Sequence, residues 1–230
     1  MRSPRWSRGA RRQRMAKNPR AAAQPTSPVK AGSTSVRVIG IPEILADGAP
    51  VTLRYRKAEA LVYFLVIEAR RVSRSEVIAL LWPELPAATG AANLRGVLTE
   101  LRGVLGPRLL ADPRASWISL AYVGSDLADL EAWNETLHDS RAVPGAWTDL
   151  LTQDTLLDGF HLADNDAFAA WRTEAQHRFE DELQALRLEA ANLALERDAT
   201  SIALELLESS LTKEPWNEAL ATQIARLHVT

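Results

Sequence analysis

The apolar spacing between Leu94 and Leu105 constrains this chain more than any other feature. Leu94, Val97, Leu98, Leu101, Val104 and Leu105 recur at helical intervals and form one stripe. At about 100° per residue, Ala92, Gly96, Thr99 and Gly103 fall opposite that stripe. Arg95 and Arg102 lie on one flank, Asn93 and Glu100 on the other. Gly106-Pro107 stops the helix. Just upstream, Val77, Ile78, Leu80 and Leu81 give a shorter helix its apolar face, and Ser73 and Ser75 are both possible N-caps ahead of Glu76. Trp82-Pro83 closes that helix, because proline restricts the residue before it and cannot continue the ladder. A short helix, a turn and a longer helix with a small, partly polar outer face suit the major groove of DNA. A helical hairpin in any core shares this pattern, so the flanking sequence has to discriminate.

Upstream, Ser35–Gly40 and Pro42–Leu45 read as extended, Asp47-Gly48 as a turn and Pro50–Leu53 as a returning strand. A first helix runs from about Lys57 to Ala69, with Ala60, Leu61, Phe64, Leu65 and Ile67 as core candidates. Downstream, two extended pieces between Leu109 and Leu120 flank an Asp112-Pro113-Arg114 turn, a hairpin pattern. Strands, three helices and a hairpin are the order of a winged helix with an extra N-terminal sheet. The hairpin is its wing, with Arg114 placed either to meet phosphate or the minor groove, or simply to be solvated.

From Asp126 the pattern is almost all helical, with Asp126 as the expected N-cap. Pro144-Gly145 interrupts it, and 156–162 is an apolar loop. Phe168 to about Arg197 makes a long amphipathic helix, and Ala199–Leu211 and Trp216–His228 make an antiparallel pair divided at Glu214-Pro215. Helices of this size joined by short turns resemble tetratricopeptide hairpins. Trp133, Trp147, Trp171 and Trp216 are expected in cores.

Charge is distributed unevenly. Residues 1–33 carry nine cations and no acid, 34–125 carry 11 basic and 8 acidic groups, and 126–230 carry 7 basic and 21 acidic groups. A basic front and an acidic rear fit a DNA-binding module joined to one with a different partner, or acids that merely solvate helix faces. Residues 1–33 lack an apolar period and read as disordered. Their arginines suit nonspecific phosphate contact, or they are translated leader ahead of a later start at Met15, which the composition favours. With no cysteine, disulfides and thiolate metal sites are excluded. His138, His161, His177 and His228 are too scattered for a metal motif, no cofactor is expected, and no apolar run reaches the length of a membrane span. A cytoplasmic location is the default expectation.

Several runs carry a family resemblance. Lys57-Ala58-Glu59-Ala60-Leu61, Val72–Val77, Leu81-Trp82-Pro83, Asn93-Leu94-Arg95 and Leu101–Gly106 resemble the winged-helix domain of SARP-type transcriptional activators, whose DNA-binding fold is of the OmpR class. Leu156–Phe160, Phe168–Arg172 and Glu214–Ala219 look like the bacterial transcriptional activator domain that follows it. The resemblance runs from Val36 to the end. It implies a mostly α fold with small β-sheets, in which a winged helix-turn-helix domain (34–123) precedes a tetratricopeptide-like helical domain (124–230). That family usually continues with further helical hairpins, so the resemblance implies a fragment of a larger regulator or a shortened one.

The same resemblance implies a recognition helix bearing Asn93, Arg95, Thr99 and Arg102 toward the groove, with Ser73, Arg74 and Ser75 at the backbone. Asn reads adenine and Arg reads guanine edges bidentately, and Thr99 suits a thymine methyl; Arg95 and Arg102 also suit phosphate. The expected function is a transcriptional regulator on double-stranded DNA, bound as a dimer or in tandem on direct repeats, with the acidic domain contacting itself or RNA polymerase. The alternative is a protein-binding scaffold with a degenerate winged helix. Gly90, Gly96 and Gly103 fall in or near the recognition helix, each costing about 1 kcal/mol relative to Ala in a helix; Gly96, Gly103 and a negative Glu100 near the outward side favour that alternative. An enzyme fits least: no Gly-rich phosphate loop, nucleophile elbow or His/carboxylate cluster is present.

Overall fold

The computed structural model describes residues 33–111, 116–137, 151–153 and 155–229. The expectations for residues 1–32, for the Asp112–Arg114 turn with Arg114, and for Trp147 lie outside them.

Three strands come first: β1 (Thr34–Arg37), β2 (Glu43–Ala46) and β3 (Ala49–Pro50). Asp47 and Gly48 both take positive φ, 52° and 80°, and turn β2 antiparallel onto β3. That returning strand is shorter than the expected Pro50–Leu53. Helix α1 (Arg56–Glu68) follows, then the two-residue strand β4 (Val72–Ser73), α2 (Arg74–Leu81) and α3 (Ala87–Leu105). Strands β5 (Leu109–Leu110) and β6 (Trp117–Leu120) are the two sides of the wing, paired Leu109 with Leu120 and Leu110 with Ser119. The other edge of β6 pairs with β4, and the Arg74 amide reaches the Ser116 carbonyl at 2.9 Å. The wing is thereby fixed to the start of α2.

Strand β7 (Gly124–Ser125) joins the first sheet in parallel with β1, giving the order β3-β2-β1-β7. Helix α4 (Asp126–Thr136) starts immediately after it. Its N-cap is Ser125, which accepts the Ala128 N–H at 3.1 Å, rather than the expected Asp126. The Asp126 carboxylate is drawn elsewhere: it accepts the Val38 and Ile39 N–H groups, each at 2.9 Å. Burial pushes its carboxyl above the ordinary 3.8, against the pull of the amides from Ile39, Val38 and Leu127. Three long helices complete the chain: α5 (Asp166–Glu196), α6 (Thr200–Lys213) and α7 (Glu218–Val229), each packed along the next. Asn165 caps α5 by accepting the Phe168 N–H, and its amide donates to the Leu81 carbonyl at the end of α2.

One core joins residues on both sides of the expected boundary at 123/124. An aromatic seam runs through it: Tyr63 on Phe160, Phe160 on Phe168, Phe168 on Trp171 and Trp171 on Phe64, with centroids 5.0 to 5.9 Å apart. Burial, reinforced by the nearby Glu59 charge, pushes the Tyr63 phenol up to about 12. Backbone bonds add to the joint, with Gly40 N–H on the Thr155 carbonyl and Leu157 N–H on the Val38 carbonyl. Trp133 lies in the core and Trp171 packs against it. Trp216 does not: it is 82% exposed, because the chain turns at Glu214–Asn217 and carries it outside the α6–α7 contact. No helix among the described residues is long and apolar enough to cross a membrane.

Candidate nucleic-acid interface

The α3 stripe is buried as its spacing requires. Leu94, Val97, Leu98, Leu101 and Leu105 are inside and Val104 packs against them. Burying side chains of this kind contributes about 1.5–3 kcal/mol each, so the helix's rotation about its axis is fixed. Ala92, Asn93, Arg95, Gly96, Thr99, Arg102 and Gly103 are all exposed. The outward surface is low: a Cβ placed on Gly96 or Gly103 would meet nothing within 4 Å. Gly90 differs. A Cβ there would stand 2.5 Å from Ile78 Cγ2, so this glycine lets α3 cross close against α2.

The outward groups are partly pre-positioned. Thr99 donates its hydroxyl to the Arg95 carbonyl at 2.9 Å, so what it offers a ligand is its methyl and the acceptor side of its oxygen. Arg102 Nη2 donates to the Ala111 carbonyl at 2.7 Å and ties the end of α3 to the root of the wing. Glu100 is half-buried, and its carboxylate accepts the Arg54 N–H. Its negative charge stays on the Asn93 flank of α3, with the residues leading into α1 beside it.

At the other end of the motif, Ser73 is extended (φ −71°, ψ 150°) and caps α2 by accepting the Glu76 N–H at 3.0 Å. Ser75 Oγ lies 3.0 Å from Ser73 Oγ. Ser73 and Ser75 are exposed and Arg74 is half-buried, so the three stay together at the N-terminal end of α2, as the sequence suggests. Among the described residues no group of His, Asp or Glu is arranged to hold a metal.

The whole arrangement matches a solved structure, that of Mycobacterium tuberculosis EmbR in complex with a low-affinity phosphopeptide, with a TM-score of 0.63 and 23% sequence identity. The match covers 86% of this chain and 55% of EmbR, so the chain spans little more than half of EmbR's length. The likeness is one of fold. No protein-family model and no curated protein matches the chain.

The winged helix also brings together residues that lie outside the helix-turn-helix pattern. Arg54, Tyr55, Arg56 and Lys57 gather at the start of α1, beside Asn93 and Gly96 of α3. Their signal was present in the sequence as a basic run interleaved with an aromatic, but it precedes the helix-turn-helix and lies outside its pattern. Arg71 is a second such residue. Its guanidinium lies 4.3 Å from the Trp117 ring centroid, on the wing.

Proposed function

We propose that this chain is a sequence-specific DNA-binding transcriptional regulator in which α3 reads the major groove. The observation that carries this reading is the outward face of α3, where small residues leave room for close approach and Asn93, Arg95 and Thr99 stand exposed among them. Asn93 pairs with an adenine edge and Arg95 with a guanine edge, and the Thr99 methyl meets a thymine methyl. Arg102 steadies the wing and contacts phosphate. Ser73, Arg74 and Ser75 approach the backbone from the N-terminal end of α2, where the helix dipole favours an anion. The fold shared with EmbR, a regulator of the SARP kind, supports the same reading. The acidic helical part is assigned to self-association or RNA polymerase contact.

The test starts from genomic fragments selected by the purified chain. On the recovered duplex, Arg95→Ala weakens specific binding by about 1–3 kcal/mol and relaxes preference at one base pair. Titrations in which Arg95→Ala binds as tightly as the parent remove Arg95 from base reading. A parent chain that selects no fragment even at low salt removes the whole assignment and leaves the protein-scaffold reading.

A further inference from the structure

Phosphates flank a recognition helix on both sides. B-DNA's major groove is about 12 Å wide and a helix with its side chains is about 10–12 Å across, so a seated α3 has a sugar-phosphate strand along each flank. The cations of α3 are Arg95 and Arg102, both on one flank; the opposite flank has Asn93 and Glu100 and no cation of its own. That bare flank opens onto a groove of about 810 Å³ whose other wall is the start of α1, with Arg54, Arg56 and Lys57.

We propose that this groove seats the phosphodiester backbone of one strand of the duplex read by α3, with Arg54, Arg56 and Lys57 as its phosphate contacts. The assignment rests on the DNA-reading role of α3. The cations are braced by aromatic faces: Arg54 lies 5.2 Å from the Tyr55 centroid, Arg56 4.3 Å from Phe160 and Lys57 5.4 Å from Trp82. A cation over a ring keeps its N–H donors available to an anion. Arg56 also donates to the His161 carbonyl, at 3.3 Å. The acids nearby are Glu59, 3.5 Å from Arg56, Glu84, 3.8 Å from Lys57, and Glu100, which the Arg54 amide engages. Tyr55 leaves the first amides of α1 without a side-chain cap, so the positive end of that helix dipole falls at the same place. Ala92, Asn93 and Gly96 belong at once to the groove and to the outward face of α3, so a strand lying here borders the reading helix directly. His161, Leu162 and Ala163 form part of the rim, which brings the segment leading into α5 to the DNA as well.

The experiment uses the full chain and the duplex recovered by selection, titrated over a range of salt. Each phosphate neutralised contributes about 0.9 to the slope of log affinity against log salt. Arg54→Gln/Lys57→Gln, which removes both charges and keeps a polar side chain at each position, makes the slope shallower by about 2 while base preference is unchanged. Ethylation of phosphates on one strand interferes with the parent and no longer with the variant. A parent with a steep slope and a double variant with the same slope and the same ethylation pattern overturns the groove and leaves base reading by α3 intact. A double variant that keeps its DNA slope but loses binding of a polyglutamate peptide overturns it in favour of an acidic protein partner. A parent that binds no duplex overturns both assignments together.

Discussion

Gly90 and Gly96 stand on the same helix and answer to opposite demands. Adding a methyl at Gly90 drives it into Ile78, and overpacking of this kind costs about 1–3 kcal/mol. Adding one at Gly96 meets open space, and replacing an exposed helical glycine by alanine stabilises by about 0.5–1 kcal/mol. Thermal melts of Gly90→Ala and Gly96→Ala therefore move in opposite directions. On DNA the second gain reverses: Gly96→Ala raises the melting temperature and weakens binding, since the methyl occupies space the duplex needs. A Gly96→Ala chain that is both more stable and equally tight on DNA shows that the low surface serves no close approach. The sequence placed both glycines on α3 but could not separate them, because Ile78 reaches Gly90 across the α2–α3 turn and no spacing within α3 records that contact.

At the scale of elements, α1 ends on a carboxylate, the unfavourable sign for a helix C-terminus. Glu68 is nonetheless held there by partners from α5: Trp171 Nε1 donates at 2.9 Å and Arg178 at 3.0 Å, while Arg70 approaches at 3.1 Å and reaches on to Glu76 of α2. Burial works to raise the Glu68 carboxyl, but these hydrogen bonds and the Arg178 and Arg70 charges outweigh it and hold it below the ordinary 4.5. A lowered carboxyl means that the unfolded chain binds its proton first as pH falls. The contribution is therefore intact above the ordinary value and disappears as pH drops through the folded one. Glu68→Gln costs about 2 kcal/mol near neutrality and flattens the acid side of the stability curve. Denaturant melts from pH 7 down to pH 3 check this; parallel curves for the two proteins contradict it. Such a network is invisible in sequence, because Glu68 meets Trp171 and Arg178 from far along the chain. The long helices were legible, since their stripes repeat over many turns. Strands of two residues such as β4 and β7 carry no period to read, and the shift of the α4 cap from Asp126 to Ser125 depends on Val38 and Ile39, which approach from β1.

For the molecule as a whole, the aromatic seam and the shared core predict one unfolding event rather than two. Calorimetry is expected to show a single transition with equal calorimetric and van't Hoff enthalpies. Two resolved transitions, one for the winged helix and one for the helical part, contradict that coupling. Coupling also matters to the proposed function, because the rim of the phosphate groove belongs to the segment that leads into α5. The parallel pairing of β1 with β7, and the Leu157 amide that closes on Val38, have a further consequence in time. Translation delivers β1 long before either partner, so its outer edge stays unsatisfied while the reading motif and wing are made. Contacts of such long sequence separation form slowly, and an unpaired edge strand is a template for wrong pairing. The nascent chain is thus most vulnerable to aggregation between the emergence of β2 and that of the Leu156-Leu157 segment, and a holding chaperone would be most useful in that interval.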